Sequence, residues 1–213
     1  MLVEDVMQAA VITITPKTSL TEAVRLVRHR GIRHLPVVED DRLVGIVSDR
    51  DLKQAMASPA TALESHELRY LLDALTVDEI MTRAVVTVGR MFPIEDAARL
   101  MVTEKISALP VTERGKLIGI VTETDVLELF VKGMGAAGQP SSRIDVRLGQ
   151  NSTALADLVH AVEDASVEIC SIMTLGDRAG QKDVVIRVRS IDPRPAIANL
   201  RTRGYAVRDP TQG

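Results

Sequence analysis

The chain has 213 residues, 46% of them hydrophobic and 2% aromatic, no tryptophan and a net charge of −3. That is enough apolar material for a buried core in one to three compact units, while the near-neutral balance and the scarcity of rings argue against nucleic acid as a partner, whether bound by its phosphates or by stacking on its bases. No run of about 18 apolar residues occurs, and MLVEDVMQAA puts acids where a secretory signal needs basic and apolar stretches, so a soluble, cytoplasmic protein without membrane association is expected.

Read from its start, the chain repeats. Residues from Val3 lie over those from Val77 without a gap, an offset that sets Met7 on Met81, Thr13 on Thr87, Ala23 on Ala97 and Pro36 on Pro110. Agreement is strongest where LPVVEDDRLVGIVSDRD, from Leu35, meets LPVTERGKLIGIVTETD, from Leu109. Each copy predicts a short helix ending near Met7 or Met81, a β-rich run (VITIT, VVTV) and an amphipathic helix (LTEAVRLVRHRG, IEDAARLMVTEK), the first closed by Gly31. Two strands follow, LPVV and LVGIVS against LPVT and LIGIVT, joined by the polar turns EDDR and ERGK. A last helix opens at Asp49 or Glu123, where an acid suits the positive end of the helix dipole. The two copies span 1–57 and 77–131.

Between them, 58–76 predicts a connector helix with Leu68, Leu71, Leu72 and Leu75 on one side. After them, 132–142 is rich in Gly and Ser and reads as a flexible linker. Residues 143–210 then run strand (IDVRL), helix (ALADLVHAVEDA), strand (VEICSIMTL), turn (GDRAGQK), strand (DVVIRVRS), helix (PRPAIANLRTRG) and strand (YAVR), the split βαβ order. The fold class is thus α/β in the α+β sense, with two repeats and a different third domain. Cys170 is the single cysteine and sits in an apolar run, which predicts a buried structural thiol and excludes an internal disulfide or a cysteine metal cluster. Apolar helix faces carrying Ala23, Leu26, Val27, Ala97, Leu100 and Met101 exceed what one thin unit needs to bury, which predicts a homodimer.

The repeated element with chemical content is Gly-Ile-Val-Ser-x-x-Asp at Gly45 to Asp51 and Gly-Ile-Val-Thr-x-x-Asp at Gly119 to Asp125. A strand delivers a hydroxyl and, three residues on, a carboxylate at the first turn of a helix, with free backbone N–H groups between. A carboxylate can accept two hydrogen bonds from a vicinal diol such as a ribose, and the hydroxyl and helix N-terminus suit a phosphate. Ser48, Thr122 and both aspartates can equally serve as helix caps. Recurrence in identical register, beside an apolar LPV strand able to wall an adenine, favours binding.

Residues 3–130 resemble a tandem pair of CBS domains, a Bateman module, across both copies. The resemblance implies a disc with two clefts about a pseudo-twofold axis, holding AMP, ADP, ATP or another adenosyl compound as a regulatory ligand. It implies that Asp51 and Asp125 grip ribose, that Ser48 and Thr122 touch ribose or phosphate, and that Ile32 and Ile106 flank the base. Phosphate contacts in the family come just before Leu-Pro, where this chain has Arg33 and His34 in the first copy but Ser107 and Ala108 in the second. One tight and one weak or empty site are expected from that difference. Residues 144–208 resemble an ACT domain, and the whole order is similar to acetoin-utilisation AcuB-like proteins. That implies a ferredoxin-like βαββαβ fold, self-association, an unidentified regulated protein as partner and a link to acetoin utilisation. Amino-acid-binding ACT domains have a glycine in the turn after the first strand; here Gln150-Asn151-Ser152-Thr153 has Thr153 in its place, which favours dimerisation over amino-acid binding.

No P-loop, GxGxxG, GxSxG, HExxH or Cys/His dyad occurs, and His29, His66 and His160 have no partner pattern. The expectation is a regulatory module rather than an enzyme, with no metal and no catalytic cofactor. The alternative is a dimeric interaction scaffold that binds no ligand.

Overall fold

A computed structural model of the protein describes residues 1–57, 74–135, 138, 140–148, 154–178 and 181–208. The chain divides into two units, Met1–Val126 and Leu127–Gly213. The connector helix expected over 58–76 lies, as far as residue 73, outside the described residues, as does the turn 150–153.

In the first unit, local chemistry sets the element ends. Helix α1 (Leu20–Arg30) starts where the Ser19 Oγ accepts from the Glu22 N–H at 3.3 Å and stops where Gly31 turns left-handed, φ 63°, its N–H returning to the Val27 carbonyl. Its counterpart α3 (Ile94–Glu104) ends on Lys105, also left-handed at φ 56°. A side chain there costs on the order of 1 kcal/mol where glycine would cost little. Strands β1 (His34–Glu39) and β2 (Arg42–Ser48) form one antiparallel hairpin, and β3 (Ala108–Glu113) and β4 (Lys116–Thr122) another. Both two-residue turns, Asp40-Asp41 and Arg114-Gly115, have positive φ throughout, the condition of a type I′ turn. The four strands make one sheet in the order β1-β2-β4-β3, with β2 and β4 joined through the pair Arg42 and Lys116. Helices α2 (Asp49–Ala57) and α4 (Glu123–Gly133) open where the second hairpin strands end.

Two expectations change here. The short helices before Met7 and Met81 are single 3-10 turns, Val3–Asp5 and Val77–Glu79. The β-rich runs each contribute one parallel bridge, Ile14 to Val37 and Val88 to Val111, on the outer edges of the sheet. Pro36 and Pro110, in those edge strands, have no N–H to extend the pairing.

The lead-in segments also change places. Val3 N–H donates to the Phe92 carbonyl at 2.9 Å and Gln8 exchanges backbone bonds with Ile120, so the start of the first copy is built into the second. In return, Leu20 N–H donates to the Leu75 carbonyl, Val77 N–H to that of Thr18, and Thr82 exchanges bonds with Ile46. The core of the first copy accordingly combines Leu20, Ala23, Leu35, Val37, Val47 and Leu52 with Val77 and Met81. Gly45 and Gly119 permit the exchange, because a Cβ on either would sit 2.5 Å or 2.6 Å from the sulfur of Met81 or Met7.

The helix faces that motivated a homodimer are largely covered: Ala23, Ala97 and Met101 are buried and Leu26, Val27 and Leu100 half-buried. The apolar side chains left exposed include Val102, Leu127, Phe130 and Val131.

The second unit has β5 (Ser142–Leu148), α5 (Ala154–Glu163), β6 (Ile169–Arg178), β7 (Gln181–Val188), α6 (Arg194–Thr202) and β8 (Ala206–Arg208). Its sheet order is β6-β7-β5-β8, every pair antiparallel. Alternation puts Ile144, Val146, Leu148, Val184, Ile186 and Val188 on one face, packed against Leu158, Ala161, Val162, Ala196 and Leu200. Residues read as linker are held to this unit: Ser171 Oγ donates to the Met134 carbonyl at 2.8 Å, and Arg187 Nη1 to Ser141 Oγ at 3.1 Å. Cys170 is half-buried, not buried, beside Gly135. The hairpin after β6 is tighter than the sequence suggested, because β6 runs to Arg178 and β7 begins at Gln181.

Candidate functional site

The strand-to-helix corner recurs in both copies with nearly the same geometry. In the first, Asp51 Oδ2 accepts from Ser48 N–H at 2.8 Å and from Ser48 Oγ at 2.6 Å. In the second, Asp125 Oδ2 accepts from Thr122 N–H at 2.7 Å and from Thr122 Oγ1 at 2.6 Å. The aspartates therefore cap their helices through Oδ2, and that use leaves Oδ1 over. Among the described residues nothing bonds Oδ1 of Asp51, whereas Oδ1 of Asp125 accepts from Gln8 Nε2 at 3.0 Å.

Each corner faces a turn from the other copy. The first cleft, about 440 Å³, is lined by Ser48, Asp49, Arg50 and Asp51 from the first copy, by Thr82 and Ala84 to Val86 from the exchanged segment, and by Lys105, Ile106, Ser107 and Ala108 from the second copy. Its volume lies in the range of small-molecule sites, roughly 300–1,000 Å³. The second cleft, about 190 Å³, is lined by Ile120, Thr122 and Thr124 from the second copy, Gly31, Ile32, Arg33 and His34 from the first, and Gln8.

Of the residues singled out in the sequence, Ser48, Asp51, Ile106 and Ser107 meet in the first cleft, and Ile32 and Thr122 in the second, with Asp125 bonded to Thr122 and Gln8. Arg33 and His34 line both. They sit between the clefts: Arg33 Nη2 donates to Thr124 Oγ1 at 3.0 Å, and His34 Nε2 is 2.8 Å from Ser107 Oγ. A difference between copies at these positions is thus not by itself a difference between clefts. Burial lowers the His34 pKa below its ordinary value, Arg33 pushes the same way, and Asp49, Glu123 and Asp51 oppose it more weakly. Its imidazole is neutral at neutral pH.

Charge in the first cleft is mixed. Arg33, Arg50 and Lys105 face Asp49, Asp51 and Glu123. Asp49 is held ionised by the Lys53 ammonium at 2.9 Å, and Asp51 is engaged by Ser48, so two acids already have partners. Ile106, Val85 and Val86 supply an apolar wall beside these polar groups. Arg50, Lys105, Gln8 and Thr82 were not picked out by sequence reasoning. The repeat alignment does set Gln8 on Thr82, but only the exchange of lead-in segments brings each to its cleft.

Residues 3–58 and 77–132 each match the family model of the CBS domain, together more than half the chain. The chain belongs to the CBS domain family. It is 36% identical over 133 residues to a CBS domain-containing protein of Dictyostelium discoideum, covering 62% of this chain and 92% of that protein. It is 40% identical over 117 residues to the inosine-5'-monophosphate dehydrogenase of Korarchaeum cryptofilum, of which it spans 21%. Among solved structures, the CBS domain pair of protein MJ0100, in complex with 5'-methylthioadenosine and S-adenosyl-L-methionine, matches with TM-score 0.53 and 31% identity over 62% of this chain and 97% of that one. CBSX2 in complex with AMP matches with TM-score 0.51 and 33% identity over 62% and 96%. A Vibrio cholerae protein assigned to acetoin utilization (AcuB) matches with TM-score 0.55 and 29% identity over 64% and 96%.

The CBS pair of this chain has its two clefts between strand-to-helix corners of one repeat and helix-to-strand turns of the other, and both repeats contribute side chains to each. Among the described residues, no helix is long and apolar enough to cross a membrane.

Proposed function

We propose that the protein is a regulatory sensor of adenosine nucleotides, not an enzyme. The observation that carries this reading is the first cleft, where a carboxylate oxygen with no partner among the described residues (Asp51 Oδ1), an apolar wall and three cations converge in a volume suited to one nucleotide. Asp51 takes the ribose hydroxyls, Ser48 the ribose or phosphate, Ile106 the base, and Arg33, His34, Ser107, Arg50 and Lys105 the phosphate. Thr122, Asp125 and Ile32 hold the corresponding positions in the second cleft. Relatives crystallised with AMP and with 5'-methylthioadenosine and S-adenosyl-L-methionine support an adenosine ligand. Because each cleft draws on both repeats, a nucleotide that fits one relative orientation better than another shifts the balance between them.

In this reading residues 143–210 form an ACT-like domain. Its strand order, with the first strand of the unit between the third and the last, supports that assignment. The domain dimerises the chain and relays the state of the CBS pair to a regulated protein in acetoin utilisation. Light scattering at tens of micromolar is expected to give the mass of a dimer, and a monomer would overturn that part.

A thermal-shift screen with AMP, ADP, ATP, adenosine and S-adenosylmethionine tests the whole reading. A ligand at about 100 times its Kd adds about 2.7 kcal/mol, a rise of about 5–10 °C for a chain of this size. Phosphorylated ligands are expected to shift the midpoint most. An anion beside His34 favours its protonated form, so relative to adenosine the phosphorylated ligands are expected to gain affinity as pH falls toward the lowered His34 pKa. In the free protein, the lowered His34 pKa means the unfolded chain takes up this proton first. Its contribution to stability is complete above the ordinary histidine pKa and is lost as pH falls toward the lowered one. No shift with any of the five would leave the ligand-free scaffold as the function.

A further inference from the structure

We infer that Gln8 is the residue that sets how many nucleotides the chain binds, by closing the second cleft. The inference rests on the nucleotide reading above and goes beyond it by assigning the difference between the clefts to one exchanged position. The two clefts are built from positions that correspond under the repeat: Ile46 and Ile120, Ser48 and Thr122, Ile32 and Ile106. Yet their volumes are about 440 and 190 Å³. The smaller value falls below the range of small-molecule sites, roughly 300–1,000 Å³.

At the exchanged position the first cleft has Thr82 and the second Gln8, each anchored by the same pair of backbone bonds, Thr82 to Ile46 and Gln8 to Ile120. Backbone placement is therefore equal and side-chain length differs. Threonine is too short to reach the carboxylate across its cleft and makes no bond to Asp51 among the described residues. The glutamine amide spans its cleft and donates to Asp125 Oδ1 at 3.0 Å, the oxygen left over after Thr122 has taken Oδ2. A ligand that takes Asp125 Oδ1 in the second cleft must displace that amide. A hydrogen bond to a carboxylate contributes enough that its displacement weakens binding by about tenfold or more.

Calorimetry of AMP binding to the full-length chain tests this. The wild type is expected to take one AMP per chain in the micromolar-to-millimolar window. Gln8→Thr, which copies the residue the first cleft already carries at that bridge, should take two, or tighten a weak second site at least tenfold. Gln8→Ala should do the same, and serves where Gln8→Thr folds poorly as judged by its circular dichroism. The reverse change, Thr82→Gln, should weaken the first site about tenfold or more. Two equal sites in the wild type, or one site retained in both Gln8 variants, would overturn the role of Gln8 and leave the nucleotide reading standing. Absence of any AMP binding in the wild type and all variants would overturn the nucleotide reading, and the inference with it.

Discussion

Asp51→Ala is expected to weaken AMP binding about a hundredfold or more. Two hydrogen bonds from a ribose diol to a carboxylate contribute about 1.5–3 kcal/mol each, and 1.4 kcal/mol is a factor of ten. The substitution also removes the acceptor of the Ser48 N–H and hydroxyl bonds at 2.8 and 2.6 Å, so the free protein loses about 1 kcal/mol of helix capping. Asp51→Asn keeps one acceptor oxygen, which serves either the Ser48 bonds or the ribose but not both, and should cost about tenfold. Asp125→Ala, at a carboxylate already engaged by Gln8, should leave the tight site within about threefold of wild type, since mutations that share no partner act nearly independently. Calorimetry on the three variants separates these outcomes. Asp51→Ala binding AMP as tightly as wild type would remove this residue from the site.

The largest expected effect on stability is that of Leu35→Ala. Leu35 is fully buried in β1, in the same cluster as Leu20, Val47, Leu52 and Met81. Deleting three carbons there loses their transfer free energy and leaves a cavity that a core assembled from two copies closes poorly. The cost is about 3–5 kcal/mol, a fall of about 10 °C or more in the unfolding midpoint. Leu127→Ala provides the contrast: this side chain is 62% exposed and its removal should change stability by about 0.5 kcal/mol or less. Equal losses for the two variants, in thermal or urea unfolding, would mean that the burial described for β1 is wrong.

That contrast also separates what could be read from the sequence from what could not. The repeat, the hairpins and the helix limits were legible because each is decided by neighbours within a few residues. Ser19 caps Glu22, Gly31 can turn left-handed, Asp40-Asp41 and Arg114-Gly115 admit positive φ, and Asp51 reaches Ser48 three residues away. The hydroxyl and carboxylate of each corner were visible for the same reason. The VITIT and VVTV runs misled because strand propensity is local, whereas pairing needs a partner with N–H groups to give, and the edge strands offer Pro36 and Pro110.

Everything that joins one copy to the other was decided by the tertiary structure. Gln8 meets Asp125 across 117 residues, Arg33 meets Thr124 across 91, and His34 meets Ser107 across 73. No local pattern encodes those distances. They follow from the exchange of lead-in segments that packs Met7 against Gly119 and Met81 against Gly45, and from the single pair, Arg42 with Lys116, that joins the two hairpins. Leu35 and Leu127 are equally apolar as letters. Packing buries one and leaves the other in water, because burial belongs to the assembled surface and not to the residue.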